Sequence, residues 1–117
     1  MPSFGEIDAT GYYISEPTII ADGTETTCYT VPTGKWAYIT QIWAADDGGA
    51  ARTITIIARK GGTDYTLGFQ VAIAANTALI HAPDPLVLAA ADSIKCTVSA
   101  GGVHVMISGI EESAPGT

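Results

Sequence analysis

The sequence predicts an all-β fold, a single antiparallel β-sandwich or jelly-roll-like domain of seven or eight strands preceded by an N-terminal arm. Three observations predict it. Apolar side chains recur at period two, turn-forming residues punctuate those runs at short intervals, and no segment carries an apolar helical stripe with caps. Composition agrees: 47% of the residues are apolar, 13 are glycine and only 15% are charged. That balance excludes a disordered chain and disfavours a helical bundle.

The clearest strand signal is DYTLGFQVAIAA, in which Tyr65, Leu67, Phe69, Val71 and Ile73 share one face and Thr66, Gly68, Gln70, Ala72 and Ala74 the other. Successive side chains of a strand point to opposite faces, so this alternation reads as a half-buried strand or strand pair. The same rule turns Ile94, Cys96 and Val98 inward, then Val103, Val105 and Ile107, on either side of an Ala100-Gly101-Gly102 turn. That spacing predicts a β-hairpin. Further strands are predicted at about 24–31, 36–45, 52–60 and 77–82. They are separated by Pro32-Thr33-Gly34, Asp46-Asp47-Gly48-Gly49, Gly61-Gly62, Ala75-Asn76 and Pro83-Asp84-Pro85. Two sheets built from such strands each bury one face against the other.

At 117 residues the chain has the size of one domain. The expected division is an arm over 1–22, a sandwich over 23–112 and a flexible tail over 113–117. The arm, MPSFGEIDATGYYISEPTII, mixes glycine, proline, acids and aromatics without steady alternation. Two roles stand open for it: folding back on its own domain, or anchoring on a neighbour through Phe4, Tyr12 and Tyr13.

Alternation fails in WAYITQIWAA. Strict period two places Trp36, Tyr38, Ile42 and Ala44 on one side and Ala37, Ile39, Trp43 and Ala45 on the other, apolar on both. One face can enter the core and the other requires cover, from the arm or from another copy of the chain. A milder case is the last strand, where His104, Met106 and Ile110 lie opposite Val103, Val105 and Ile107. Tryptophan and methionine are enriched at interfaces, which favours self-association. The candidate interface residues are therefore Phe4, Tyr12, Tyr13, Trp36, Tyr38, Trp43, His104 and Met106.

The formal charge is −7, and the basic residues Lys35, Arg52, Arg59, Lys60 and Lys95 form no continuous stripe. Nucleic acid is not an expected partner. No stretch approaches the roughly 20 apolar residues that cross a bilayer, so no membrane partner is expected, and the absence of a signal-like start predicts synthesis in a cytoplasm. Cys28 and Cys96 read as buried free thiols, with a bridge possible only if the fold brings their strands together.

No reactive cluster emerges. His81 and His104 lie on predicted strands without a nucleophile motif, and the cysteines and histidines are too dispersed for zinc. The Asp46-Asp47-Gly48-Gly49 loop lacks the ligand periodicity of a calcium loop, and the glycine pairs open no helix that could cradle phosphate. Acids from distant loops could converge on a groove, but nothing in the sequence selects a pair. No catalytic residue, metal or cofactor is expected.

The order VPTGKWAYITQIWAA, GGAARTITIIARKGGTDYTLG and IAANTALIHAPDPLVLAAADSIKCTVSAGGVHVMISGIEE resembles small β-sandwich structural proteins of tailed bacteriophages. That group includes capsid decoration (cement) proteins and related tail or fibre proteins. The resemblance runs from about Val31 to Glu112. It rests on the Val31-Pro32-Thr33-Gly34-Lys35 turn, the Ala50-Ala51-Arg52-Thr53 segment, and Leu86-Val87-Leu88 followed by Ala91-Asp92-Ser93-Ile94. Such proteins often carry glycine where this chain has Ala91, a departure that weakens the case for positive φ there. The resemblance implies a non-enzymatic virion component made in the bacterial cytoplasm. Its expected partners are itself, as a trimer, and the phage major capsid protein or other virion proteins at the head surface. The alternative is a tail or fibre adaptor, or a carbohydrate-binding host-recognition module with a tryptophan exposed in a shallow groove.

Overall fold

A computed structural model describes residues 11–81 and 86–113, with the side chains of residues 11–13 and 81 outside the description. The strands are β1 (Gly11–Ile20), β2 (Thr26–Thr30), β3 (Lys35–Asp46), β4 (Arg52–Lys60), β5 (Thr63–Ile73), β6 (Ala78–His81), β7 (Leu86–Leu88), β8 (Ser93–Val98) and β9 (Val103–Ser113). One sheet has the order β1-β9-β3-β6, with β7 pairing β3 farther along the same edge; the other has the order β2-β8-β4-β5. All pairings are antiparallel. Below, these are the β1 sheet and the β2 sheet.

Of strands consecutive in sequence, only β4 and β5 pair with one another, through the Gly61-Gly62 turn. Every other connection either crosses between the sheets or, from β6 to β7, stays along β3. This is jelly-roll connectivity, in which the pairings are long-range and each sheet covers the apolar face of the other. The all-β sandwich read from the sequence is the fold, with nine strands.

The expected hairpin between Ile94 and Ile107 is not one. Strand β8 pairs with β2 and β4, whereas β9 pairs with β1 and β3, so the Ala100–Gly102 turn carries the chain from one sheet to the other. Inward alternation was read correctly on both arms, because Ile94, Cys96, Val98, Val103, Val105 and Ile107 are all buried. A turn that bridges two sheets and a turn that closes a hairpin leave the same alternation behind. Glycine is required at 101, since a Cβ there would lie 2.0 Å from the carbonyl oxygen of Ala21, in the connection that crosses the sandwich in the opposite direction.

Of the segment expected as an arm over 1–22, residues 11–20 form strand β1, paired with β9 from Gly11↔Glu112 to Ile20↔Val103. Its weak alternation, broken by Pro17, reflects an edge position, where a missing amide hydrogen is tolerated. Residues 1–10, including Phe4, lie outside the described residues, as do Pro83-Asp84-Pro85 and the tail beyond Ser113.

The core is aliphatic. Ile20, Ile39, Ile42, Ile54, Ile56, Ile73, Leu88, Ile94 and Ile107 are its largest fully buried side chains, joined by Val31, Val103 and Val105. Each such side chain contributes roughly 1.5–3 kcal/mol on burial. Of the described aromatics, Tyr29 joins this core, whereas Trp36, Trp43 and Phe69 do not.

Two strands depart from strict period two. In β3 the register shifts between Ile39 and Gln41, so that Ala37 and Ile39 point inward and then Ile42, Ala44 and Asp46. The bulge moves Trp43 to the same face as Trp36 and Tyr38, correcting the expectation that the two tryptophans face opposite ways. Thr40 and Gln41, adjacent polar residues between Ile39 and Ile42, are the local sign of the shift. The partner strand accommodates it with Gly109, where a Cβ would meet the Tyr38 carbonyl oxygen at 2.1 Å. In β5 two register shifts against β4 break the regular alternation, and Gln70 takes a φ of +48°. Leu67 and Val71 pack on the core, whereas Phe69 is 69% exposed and Tyr65 also faces solvent.

Candidate functional site: the outer face of the β1 sheet

The registers define what the β1 sheet presents on the side away from the core. One row runs Pro17–Met106–Trp43–Ile80 across β1, β9, β3 and β6, and the next runs Ile19–His104–Ala45–Ala78. Farther along lie Ser15–Ser108–Gln41, then Ile110–Tyr38–Val87, and at the end Glu112–Trp36. From the Ile19 row to the Ser15 row no Lys, Arg, Asp or Glu occurs in these registers. Ile19 is 65% exposed, Ile80 51% and Trp43 44%, with Met106 and Val87 also exposed. Large aliphatic side chains therefore stand in water in adjacent positions, which a lone soluble domain rarely tolerates as a continuous patch.

The patch has relief. A groove of about 320 Å³ lies among Pro17, Ile19, Trp43, His104 and Met106. Its walls are set by sheet geometry, because cross-strand neighbours on one face hold their Cβ atoms roughly 5 Å apart. Polar groups sit at its margin: Ser15 Oγ donates to Met106 Sδ at 3.1 Å, and His104 Nε2 lies 3.3 Å from Asp47 Oδ2. At the far end Tyr38 donates its hydroxyl hydrogen to Glu112 Oε1 at 2.6 Å, which raises the Tyr38 pKa above its usual value.

The outer face of the β2 sheet carries charge. One row runs Thr27–Lys95–Ile57–Thr66, with Thr97 and Thr55 paired beyond it. Lys95 Nζ reaches Asp64 Oδ2 at 3.0 Å and Glu25 Oε1 at 3.2 Å, and Arg59 pairs with Asp64 at 2.9 Å. Hydrogen bonds from Lys95 and then Arg59 hold the Asp64 carboxyl below its usual pKa, and the bond to Asp64 raises that of Lys95. Charged pairs thus mark the β2 sheet, which also exposes Tyr65 and Phe69 on β5, whereas the central rows of the β1 sheet hold no Lys, Arg, Asp or Glu.

Of the eight residues predicted as interface candidates, Trp36, Tyr38, Trp43, His104 and Met106 fall on the apolar face. Tyr12 and Tyr13 belong to β1 by backbone register, opposite Glu111 and Ile110, with side chains outside the description, as is Phe4 entirely. Sequence reading missed Ile19 and Ile80. Their signal was indirect: each becomes a surface residue only once Ile20 and Leu79 are known to point inward. Among the described residues no three His, Cys, Asp or Glu side chains gather into a possible metal site. Buried Asp46 has one oxygen accepting the Gly48 amide hydrogen at 2.9 Å and a second without a partner.

No family model matches the sequence, and no curated protein sequence matches it. Solved structures are similar in fold. A subunit of Bacillus endospore appendages, described as disulfide-linked pili, is 13% identical at a TM-score of 0.54 over 97% of each chain. The Tobacco streak virus coat protein is 10% identical at a TM-score of 0.51, over 96% of this chain and 92% of that one. A chain of the T13 IBDV viral particle gives a TM-score of 0.57 at 9% identity, with 99% of this chain spanning 36% of the viral one. The jelly-roll sandwich is thus the architecture of subunits from two viruses and a pilus.

Proposed function

We propose that this protein is a structural subunit of a virion, present in many copies, and within that class a capsid decoration protein on the head of a tailed bacteriophage. The observation that carries the reading is the uncharged, exposed apolar patch on the outer face of the β1 sheet. An apolar face of at least three strands' width, bearing Trp43, Ile19, Ile80 and Met106, is expensive in water and becomes favourable when another subunit covers it. The fold shared with a virus coat protein and a virus particle supports the assignment, as does the resemblance of the sequence to phage β-sandwich proteins.

The covering partner is a second copy of the chain, in a closed oligomer with a trimer favoured, and the remaining surface meets the shell. Trp43 and Met106 sit centrally in the patch, the position in which tryptophan acts as a hot spot. Replicated over a shell, even modest contacts become lasting through multivalency. The test is light scattering at micromolar protein with Trp43→Ser/Met106→Ser as the control. The wild type should be oligomeric and the double variant monomeric, with association weakened about 100-fold and an unchanged circular dichroism spectrum. A wild type that stays monomeric and does not associate with purified shells would overturn the proposal.

One observation favours a second reading. Trp43 is part-exposed in a groove with His104 nearby, the arrangement in which a sugar ring stacks on an indole, as in a tail or fibre host-recognition module. Iodide quenching of the native assembly separates the two: a protected indole supports the subunit seam, and strong quenching supports the open groove.

A further inference from the structure

The only two cysteines of the chain are neighbours in the fold. Strands β2 and β8 are adjacent, with Thr26 opposite Cys96 and Thr27 opposite Lys95, and the register slips between Thr27 and Tyr29. Cys28 is the residue in that slip. Both cysteines are free, both belong to the same buried cluster, and the Cys28 thiol donates at 3.7 Å to the carbonyl oxygen of Thr26, the residue opposite Cys96. Two buried thiols in a core behave as small hydrophobes and need not touch. Here an irregularity of the backbone turns Cys28 inward on the strand beside Cys96.

We propose that Cys28 and Cys96 are a disulfide-forming pair, oxidised within one molecule by thiol–disulfide exchange with a small-molecule disulfide, so that the bond ties β2 to β8. Cys28 is the attacking group, because β2 is the edge strand of its sheet and Cys96 lies on β8, between β2 and β4. In the first step the Cys28 thiolate forms a bond to one sulfur of the small disulfide and expels the other as a thiolate, which takes up the proton that Cys28 gave to solvent. In the second, Cys96 loses its proton and attacks the Cys28 sulfur, expelling the second small thiol. Two protein thiols are oxidised and one small disulfide is reduced to two thiols.

Access follows from topology. Strand β2 has five residues, lies at the edge of its sheet and carries the bulge, so local opening exposes Cys28 without unfolding the sandwich. Cys96, on β8 between β2 and β4, is covered until then. Once formed, the bond closes the long loop between β2 and β8 and holds the edge strand in place. Both cysteines are used inside one chain, so oxidation links no copies. This inference is independent of the proposed virion role.

The experiment incubates the purified protein with oxidised and reduced glutathione at a fixed ratio, in buffer and in urea below the unfolding transition so that opening of β2 is not limiting. The expected result is a monomer lighter by two hydrogens, with no thiol titratable in denaturant and the Cys28 and Cys96 peptides joined. Its melting temperature should rise by about 10 °C, reversed by reductant. In Cys96→Ser the glutathione adduct should persist on Cys28. Free thiols in both media after equilibration at an oxidising ratio, a lasting glutathione adduct on the wild type, or disulfide-linked dimers would each overturn the pairing.

Discussion

Ala91 occupies a backbone conformation that its side chain disfavours. Its φ is +71°, in the left-handed region, where an L-residue with a Cβ is strained by about 1–2 kcal/mol relative to glycine. Alanine in place of glycine weakens the sequence case for positive φ at this position, yet the turn imposes it. The reason is the hydrogen-bond network around the next residue. Asp92 Oδ1 accepts the Gly61 amide hydrogen at 3.0 Å and Oδ2 that of Ala89 at 2.9 Å. The amides of Val31 and Ala91 also donate across this junction, to the carbonyls of Asp92 and Val31. The buried carboxylate ties the Gly61 turn to its own loop, the backbone of Ala91 and Asp92 ties in Val31, and the Ala91 conformation follows. Substitutions at the two positions should therefore move stability in opposite directions. Ala91→Gly should stabilise by about 0.5–1 kcal/mol after the extra entropy of glycine in the unfolded chain, whereas Asp92→Ala, which leaves two amide hydrogens without partners, should cost about 2–3 kcal/mol. Urea unfolding of the two variants measures both.

At the level of elements, the sheets are joined by more than apolar contact. Tyr29, on the bulged strand β2, reaches across the sandwich to donate its hydroxyl hydrogen to Glu111 on β9 at 2.5 Å. Burial, and then the hydrogen bond and negative charge of Glu111, hold the Tyr29 proton far more tightly than in the unfolded chain. The sign of the linkage follows. Below the unfolded tyrosine pKa of about 10 both states keep the proton and the full contribution is present; above it the unfolded chain loses the proton first and stability falls as pH rises. Tyr29→Phe should cost about 1–2 kcal/mol near neutral pH, and its deficit against the wild type should shrink between about pH 10 and 12. Lys95 also loses its contribution in alkali, but equally in both proteins, so the difference isolates the tyrosine. A deficit that stays constant across that range would show that the hydroxyl makes no linked contribution.

For the whole molecule, charge and hydrophobicity are segregated. The net charge of −7 opposes association of copies, while the central rows of the β1 sheet carry none of that charge and offer apolar area. Salt screens the repulsion and leaves apolar burial intact or strengthened. Self-association should tighten as ionic strength rises from about 0.02 to 0.5 M, followed by sedimentation or light scattering. Weakening over that range would indicate an interface held by ion pairs, for which the Lys95–Asp64–Glu25 cluster on the opposite face would be the candidate.

The sequence by itself determined the class of fold, most strand positions and the inward residues of β8 and β9, because alternation records which side chains avoid water. It also marked five residues of the apolar face, since a run with no polar side must be covered on both. Which sheet each strand joined was decided only by tertiary pairing, because crossing between sheets and folding back leave identical periodicity. The same holds for the bulge that unites the tryptophans, for Ile19 and Ile80 joining them, and for the placing of Cys28 and Cys96 on adjacent strands. Each depends on register between segments distant in the chain, and a one-residue slip in register reverses every face it governs.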